Sequence, residues 1–337
     1  MKVSANTFLC LEDKYIPAHQ LAASLVDYAV SRGVNIHKLL RGTRIFSEDL
    51  KSNKKISLGQ LLQLLSNVRT LTPGYDCAFQ IGRRLFPSNY GAVSNALLHS
   101  RDFAQALKIL GLLRMQICPF FDSTSYQTSQ RQYLLINPAL GCHTQVQFLS
   151  EIYCSALISA TKLLFGQRIP MYFSFPFQKP KYIQEYEGNL GYRLSFSQPM
   201  FSISFEKKWL TTPCLQRSDG LRRYAIKQAQ MHNIPKQGFL QAVRSEINKD
   251  RQASLDNIAR QFSISPATFK RKLKLHNTHF KQLQDELGKQ QATYLLQIQQ
   301  FSNEQSAHLM QFNDIPNFRR SVKRWTGLTP SQLRLIE

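Results

Sequence analysis

The chain has 337 residues, with 43 Lys and Arg against 21 Asp and Glu and a formal net charge of +22. This length favours two domains, and a hydrophobic fraction of 43% excludes a disordered protein. No run approaches eighteen uninterrupted apolar residues, which argues against a membrane span. The apolar stretch at 8–11 is too short for a secretory signal.

The cysteines are widely scattered and include no C-x-x-C pair. They are Cys10, Cys77, Cys118, Cys142, Cys154 and Cys214. This spacing argues against a disulfide framework and against a thiolate zinc site. We therefore expect reduced thiols and a cytoplasmic protein.

The first part of the chain has a helical pattern. Pro17 suits the first position of a helix whose apolar residues recur at helical spacing from Leu21 until Gly33. Ser57 is a candidate N-cap for a second helix with a leucine stripe, and a third helix is expected near Ser100.

Strand patterns follow. Residues 133–136 form a short apolar run, and apolar side chains alternate over 171–177 and 201–205. A long helix is predicted between them, over 145–165. The mixture predicts an α/β domain over residues 1–213.

Beyond Pro213 the strand pattern disappears. We expect a linker helix at 214–236, carrying Arg222, Arg223 and Lys227, and an all-α domain over 237–337.

Residues 254–275 predict a helix-turn-helix unit. Ser263 and Ile264 form the turn, and Ser265 caps a second helix with Pro266 at its first position. The residues expected to face inward are Leu255, Ile258, Ala259, Phe262, Phe269 and Leu273. Those left facing outward are Ala267, Thr268, Lys270, Arg271 and Lys274. A short helix with an exposed basic face is typical of major-groove binding.

A second, degraded unit is predicted at 302–325, with a turn at Asn313 and Asp314. Its expected inward residues are Ala307, Leu309, Phe318, Val322 and Trp325, and its second helix begins at Ile315 and directs Asn317, Arg319, Arg320 and Lys323 outward. Between the units, Thr278 is expected to cap a long helix whose inward residues are Phe280, Leu283, Leu287, Leu295 and Ile298. About twenty helical residues span ~30 Å, close to the ~34 Å of one DNA turn, so one chain is expected to place two helices in successive major grooves.

Each unit contains a long stretch that is rich in basic residues and free of acidic ones. No Asp or Glu occurs over 257–284 or over 315–336. Such a surface is either a solvated charged face or the footprint of a polyanion, and two clusters in one domain favour the polyanion.

The motifs of this half resemble a known family. They read Leu255-x-x-Ile-Ala, Ser265-Pro-x-x-Phe-x-Arg-x-Leu and Phe318-x-Arg-x-Val-x-x-Trp-Thr-Gly-x-Thr-Pro330. Together with Arg334, they resemble the DNA-binding domain of AraC-type transcription regulators over roughly 237–335. The resemblance implies contacts to base edges or phosphates from Ala267, Lys270, Arg271, Ile315, Asn317 and Arg320.

The second unit departs from the family pattern. Ser306 stands where the family has Ile, and Gln311 replaces a Gly suited to positive φ. Pro316 restricts Ile315, and Ala267 offers only a methyl group, suited to a thymine. We therefore expect the first unit to read sequence and the second to contribute mostly backbone contacts.

The first half resembles the sensor domain of the AraC subgroup that includes ornithine-utilisation and virulence regulators. The motifs include Arg32-Gly-Val-Asn-x-x-x-Leu-Leu and Ile81-Gly-Arg-Arg-Leu-x-Pro-x-x-Tyr-Gly91. The resemblance implies effector binding and dimerisation, but no residue identifies the effector. Arg83 and Arg84 face either an acidic ligand or, as we favour, solvent. An apolar sheet face is either a pocket lining or, as we favour, plain core, and its members are Phe173, Phe175, Phe201, Ile203 and Phe205.

No enzymatic activity, catalytic residue or cofactor is expected. The chain contains none of the motifs G-x-S-x-G, G-x-x-x-x-G-K-[ST], G-x-G-x-x-G and H-E-x-x-H. Glu185 and Glu187 lack a nearby base and are expected to be solvated. His276 and His279 form H-x-x-H, but that basic stretch supplies no Cys or carboxylate, which disfavours a metal site.

The sequence therefore predicts a sequence-specific transcription regulator, with activation expected because it is the commoner outcome in the family. The expected partners are double-stranded promoter DNA, RNA polymerase, a small-molecule effector and a second copy of the chain, with no membrane. The alternative is a nonspecific nucleic-acid or protein interaction module that uses its basic faces for charge alone. The Ser265 cap and the inward aromatic spacing favour the first function.

Overall fold

The computed structural model describes residues 8–139, 145–231 and 233–336. The N-terminal half is mixed α/β. Its helices are α1 (Ala23–Ser31), α2 (Ile36–Leu40), α3 (Leu58–Leu71), α4 (Cys77–Leu85), α5 (Ala92–Leu98), α6 (Phe103–Leu112), α7 (Arg114–Ile117), α8 (Val146–Phe165), α9 (Ile183–Leu190) and α10 (Asp219–Gln230). Its strands are β1 (Lys14–Pro17), β2 (Lys55–Ser57), β3 (Phe121–Gln127), β4 (Arg131–Pro138), β5 (Tyr172–Ser174), β6 (Leu194–Ser195) and β7 (Phe201–Glu206).

The regular elements among the described residues of the C-terminal half are all helices. Its helices are α11 (Phe239–Lys249), α12 (Leu255–Gln261), α13 (Pro266–Leu275), α14 (Phe280–Ala292), α15 (Asn303–Leu309), α16 (Ile315–Thr326) and α17 (Pro330–Arg334). The predicted fold class, an α/β half followed by an all-α half with two helix-turn-helix units and a long connecting helix, is confirmed.

The main sheet has the strand order β3-β4-β7-β5-β6, and β1 pairs with β2 in a separate ribbon. Each neighbouring pair from β3 to β5 in this order is antiparallel, and β6 runs parallel to β5. Leu135 of β4 lies opposite Thr124 of β3 and Ser202 of β7. Strand β3 pairs with β4 alone, so it is an edge of the sheet.

The sheet separates two packed layers. On one face, Leu134 and Ile136 join the large core formed with the helices of the N-terminal half. On the other face, the neighbouring residue Leu135 packs with Met200 and with Ile298 of the C-terminal half. This alternation is the period-two geometry of a strand that is buried on both faces.

The contact between the halves centres on Arg244 of α11, whose side chain is 7% exposed. Its guanidinium donates to the carboxylate of Asp122 in β3 at 3.0 Å and to that of Glu286 in α14 at 2.8 Å. It also donates to the carbonyl oxygen of Pro138 at 3.0 Å. We call this set of contacts the interdomain junction.

Two further contacts lie beside the junction. The amide of Asn137 donates to Gln290 of α14 at 3.0 Å. The rings of Tyr126 and Tyr294 stack with centroids 4.1 Å apart. The same face of β3 and β4 therefore holds the C-terminal half along its length.

The N-terminal segment also packs on the C-terminal half. Phe8 belongs to the core of the first helix-turn-helix unit, with its ring 5.6 Å from that of Phe239 and 5.4 Å from that of Phe262. Leu9 forms a parallel bridge with Gly238. The segment thus crosses from one half to the other.

Local sequence accounts for the helix starts. The hydroxyl of Ser57 accepts from the backbone N–H of Gln60, whose side chain accepts from the Ser57 N–H, so the predicted N-cap of α3 is confirmed as a capping box. Asp102 caps α6 by accepting from the Gln105 N–H at 2.9 Å. The predicted helix at 145–165 is confirmed as α8.

Two predictions in this half were wrong in detail. Pro17 ends strand β1, because its φ of −63° also suits an extended residue, and it is the N-cap of a helical segment rather than its first residue. That segment is a π-helical turn, Ala18–Ala22, and α1 follows it at Ala23. Strand β5 is shorter than the alternation over 171–177 predicts. The linker helix α10 packs Ala225 and Ala229 into the N-terminal core.

Helix α8 is long and apolar enough to cross a membrane by composition alone, and 61% of its most apolar stretch is buried inside the protein. Cys154 and Ile158 on this helix lie within the N-terminal core. This is the packing of a central core helix. Polar residues such as Gln147, Ser150 and Glu151 interrupt its apolar runs, so the helix does not stand out as a continuous apolar stretch in the sequence.

The crossing of α4 and α8 depends on Gly82. A Cβ at this position would lie 2.7 Å from Ser155 Cβ and 2.9 Å from the backbone nitrogen of Ala156, and would also clash with the Ile152 carbonyl oxygen. Because two of these atoms are backbone, they cannot rotate away. The two helices approach closely because position 82 has no side chain.

We predict that Gly82→Ala destabilises the protein by about 2–3 kcal/mol, because overpacking forces the helices apart. Gly188→Ala on α9 is the matched control, since its Cβ would meet nothing within 4 Å. This control should be neutral or stabilising by about 0.5–1 kcal/mol. Chemical denaturation measures both, and equal effects of the two substitutions would contradict the packing argument.

Candidate nucleic-acid interface

Helices α12 and α13 form the first helix-turn-helix unit. Ser254 caps α12, and Ser265 caps α13 by accepting from the Thr268 N–H at 3.2 Å, with Pro266 in the first turn. Ser263 in the turn has φ of 55°. The predicted Ser265 cap, the turn and the start of α13 are confirmed, and the Ser254 cap is an addition from the structure.

The core of this unit anchors α13 from one side. Phe269 and Leu273 are fully buried, as are Ile258, Ala259 and Phe262. Leu255 is half-buried rather than fully buried. The two anchors lie four residues apart, so the opposite face of α13 is free.

The free face of α13 is basic. Ala267, Lys270, Arg271 and Lys274 are exposed, whereas Thr268 is half-buried beside the hydroxyl of Ser265. Lys270, Arg271 and Lys274 form no ion pair with a carboxylate in the part of the chain that the structure describes. Uncompensated cations on a rigid helix are available to phosphate or base acceptors.

Helices α15 and α16 form the second unit. Asp314 caps α16 and accepts from the Asn317 N–H at 2.6 Å. The Asn317 side chain donates back to Asp314, and its oxygen accepts from Arg320 at 2.5 Å. This chain of hydrogen bonds occupies the polar atoms of Asn317.

The other candidate residues of α16 share its outward face. Ile315 is half-buried, and Arg319, Arg320 and Lys323 are exposed. These three cations also form no ion pair among residues 8–139, 145–231 and 233–336. Phe318 and Val322 are fully buried, as predicted.

The second unit shows the departures that its sequence indicates. Gln311 in the turn has φ of 60°, a conformation that favours glycine. Ser306 is fully buried and its hydroxyl has no hydrogen-bond partner. The prediction that Leu309 faces inward is wrong, because α15 ends there and the next residue, Met310, takes the buried position.

A long helix joins the units, as α14 followed by a π-helical segment, Thr293–Ile298. Its cap is His279, whose ring nitrogen Nδ1 accepts from the Gln282 N–H at 3.1 Å, and not the predicted Thr278. Ile298 at its end packs on Leu135 of the N-terminal sheet rather than in a helix-turn-helix core.

The connecting helix holds α16 through contacts that the sequence analysis missed. The indole of Trp325 is half-buried and lies where a side chain on Gly288 would stand, with the hypothetical Cβ 2.7 Å from the ring. The indole N–H donates to Asp285 at 2.9 Å, and Arg324 pairs with the same carboxylate at 3.2 Å. The signal in the sequence was a glycine within a helical pattern.

His276 and His279 have structural roles. His276 is 3% exposed at the end of α13 and packs on the Phe239 ring, with centroids 5.1 Å apart. Its Nδ1 donates to the carbonyl oxygen of Lys272 at 2.8 Å. Among the described residues, no group of three potential metal ligands occurs.

The other residues considered as possible ligand or metal contacts lie either at the surface or in the main core. Arg83 and Arg84 are exposed, with Arg83 bonded to Asn189 and Arg84 over the Tyr28 ring. Glu185 and Glu187 lie on α9. The sheet residues Phe173, Phe175, Phe201, Ile203 and Phe205 belong to the main core, as favoured. Five cysteines are free thiols, and Cys142 lies outside the described residues.

Comparisons with known proteins agree with both halves. The family model described as the arabinose-binding N-terminal domain of AraC transcription regulator matches residues 33–214, and a helix-turn-helix domain model matches residues 258–335. The ornithine utilization regulator of Pseudomonas aeruginosa is 24% identical over 327 residues, which are 93% of this chain and 94% of that protein.

Two solved structures are also similar. The transcriptional regulator CdpR from Pseudomonas aeruginosa is 17% identical, with a TM-score of 0.44 over 93% of this chain and 97% of that one. A DNA-binding transcriptional dual regulator from Escherichia coli K-12 is 27% identical, with a TM-score of 0.26 over 28% of this chain and 87% of that one.

We predict that acid destabilises the protein through His276. Burial lowers the pKa of His276 below its ordinary value, and the nearby Lys272 cation lowers it further. The hydrogen bond to the Lys272 carbonyl and the charges of Glu12 and Asp13 offset this only in part. The unfolded chain binds this proton near pH 6.5 and the folded chain only at lower pH. Stability should therefore fall as the pH drops below about 6.5 and level off below the folded-state pKa.

The measurement is chemical denaturation of the natural protein and His276→Asn over that pH range. An asparagine keeps a donor for the Lys272 carbonyl and does not titrate. The stability difference between the two proteins should shrink as the pH falls. A difference that stays constant with pH would refute the prediction.

Proposed function

This chain belongs to the AraC family of transcription regulators, and from that premise we propose that it activates transcription by reading a promoter with its first helix-turn-helix unit. It is a DNA-binding transcription regulator and not an enzyme. The observation that carries the proposal is the unpaired basic face of α13, held outward by the buried anchors Phe269 and Leu273.

Within α13, Arg271 and Lys270 contact base edges or phosphates in the major groove, Ala267 and Thr268 face the bases, and Lys274 contacts the backbone. Two observations support these roles: Ala267 and the three cations are exposed, and the Ser265 cap fixes where α13 begins. A guanidinium is well suited to guanine, because two of its N–H groups can donate together to the O6 and N7 acceptors of the base.

Within α16, Arg319, Arg320 and Lys323 contact phosphates, and Ile315 and Asn317 lie nearest the groove. The hydrogen bonds that occupy Asn317 and the unbonded hydroxyl of Ser306 support a smaller share of sequence reading for this unit. Its basic charge suits the DNA backbone, which carries no sequence information directly.

We further propose how the chain is divided into domains and which partners each domain binds. Residues 1–213 form the effector-sensing and dimerisation-type domain, 214–236 the linker and 237–337 the DNA-binding domain. The N-terminal domain binds a small effector and pairs with a second copy, and the DNA-bound protein recruits RNA polymerase. The match to a sensor-domain family supports effector binding. Free thiols on the described cysteines support a cytoplasmic location.

The second candidate is a module that binds any nucleic acid or a protein through charge alone. The net charge of +22 favours it. It requires neither the capped start of α13 nor the Gly288–Trp325 contact that orients α16. Those features favour specific reading.

We predict that the protein prefers its own upstream DNA to a scrambled duplex of equal length by more than roughly a hundredfold at about 150 mM salt. Arg271→Ala should weaken promoter binding by about 1–3 kcal/mol if that side chain reads a guanine. Arg41→Ala, an exposed arginine on the N-terminal half, is the matched control and should leave affinity unchanged.

Fluorescence anisotropy with both duplexes measures these affinities. Equal affinity for the two duplexes, with a steep loss in salt, would favour the charge-only module. An unchanged promoter affinity for Arg271→Ala would instead show that α13 is not the reading helix.

A further inference from the structure

A groove of about 420 Å³ lies between helix α6 and two strands of the main sheet, the edge strand β3 and its neighbour β4. Its volume falls within the range of small-molecule sites in proteins, about 300–1,000 Å³. Polar and apolar side chains line it together, among them Leu107, Lys108, Arg114, Ser125, Leu134 and Tyr153. It lies on the face of β4 opposite to the interdomain junction.

Arg114 is the buried cation of this groove. Its side chain donates to the Phe121 carbonyl oxygen at 2.9 Å and to the side-chain oxygen of Gln241, and the residue is 7% exposed. No carboxylate of the described ranges lies within 4.0 Å of it. Asp122 also lines the groove and interacts favourably with Arg114, but its carboxylate is bonded to Arg244. Buried charges are normally paired, so Arg114 has room for an anionic partner.

A second cation lies at the rim. Lys108 is exposed on α6 and also has no ion pair with any described carboxylate. Deeper in the groove, Leu107 and Tyr153 also line an adjoining apolar cavity of about 90 Å³. The groove thus combines cationic groups with an apolar wall that extends into the core.

We propose that this groove is the effector site and that its ligand is a small organic carboxylate with a compact apolar body. The carboxylate pairs with Arg114 and Lys108, and the apolar body lies along Leu107, Leu134 and Tyr153. The proposal rests on the proposed function, since it assigns the place and the chemical class of the effector.

The same guanidinium connects this site to the DNA-binding half. Arg114 holds Gln241 of α11, and α11 also carries Arg244 of the interdomain junction. Phe121 and Asp122 are adjacent in β3, so the strand contacts Arg114 through one residue and Arg244 through the next. A carboxylate that engages Arg114 competes with Gln241 and changes how α11 is held.

The test uses the full-length protein and two probes, 3-phenylpropionate and its uncharged amide, 3-phenylpropionamide. Isothermal titration calorimetry should show binding of the acid with a dissociation constant of about 1 mM or tighter. The amide should bind at least about tenfold more weakly, because it lacks the charge-assisted hydrogen bonds.

Three variants locate the binding. Arg114→Met should weaken binding of the acid about tenfold or more, and Lys108→Gln about threefold, as expected for a buried and an exposed cation. Gly111 lines the groove and a Cβ there meets nothing within 4 Å, so Gly111→Leu should place its side chain in the groove and abolish binding. Gly188→Leu, on a helix away from the groove and equally open, is the control and should bind normally.

Several results would overturn the assignment. The first is that the natural protein does not bind the acid at about 1 mM, and the second is that it binds acid and amide equally well. The third is that Gly111→Leu binds the acid normally and has an unchanged melting temperature. Promoter preference of the ligand-free protein is measured in parallel. If that preference persists while any of these results appears, the effector site is wrong and the proposed DNA-binding function stands.

Discussion

The arrangement of the two halves depends on one buried guanidinium. Arg244 requires acceptors because an isolated charge is costly away from water, and its acceptors come from different parts of the chain. Asp122 belongs to the sheet and Glu286 to the connecting helix, so satisfying Arg244 fixes the sheet, α11 and α14 together. Burial raises the pKa of Asp122, and the guanidinium groups of Arg244 and Arg114 only partly offset it. We infer that this contact specifies the geometry more than it adds stability.

The DNA-binding half has two small cores rather than one. Phe239, Phe262 and Phe269 belong to the first, and Phe318 and Val322 to the second. A small core alone stabilises a unit weakly. Each unit therefore packs against the connecting helix, the first through Leu283 and the second through the contact of Trp325 with Gly288.

The sequence predicted features that depend on neighbouring residues. The caps at Ser57 and Ser265 need only a hydroxyl and the next turn of helix, and both were found where the pattern placed them. Strand β3 was missed because the consecutive residues Ser123, Thr124 and Ser125 at its centre give no apolar alternation, and its pairing with β4 supplies the order that the local sequence does not. The role of Arg244 was also missed, because Asp122 lies more than a hundred residues away and nothing in the local pattern distinguishes this arginine.

The connecting helix sets a condition on the DNA as well as on the protein. It runs without interruption over 280–298 and is docked on the sheet through Gln290 and Tyr294, so it cannot bend or lengthen freely. Each base pair inserted between two half-sites turns the second one by about 35° around the duplex axis and moves it by about 3.4 Å. A rigid connecting helix cannot adjust to either the rotation or the shift. A promoter that both units contact must therefore keep its two half-sites at a fixed spacing, in one helical phase.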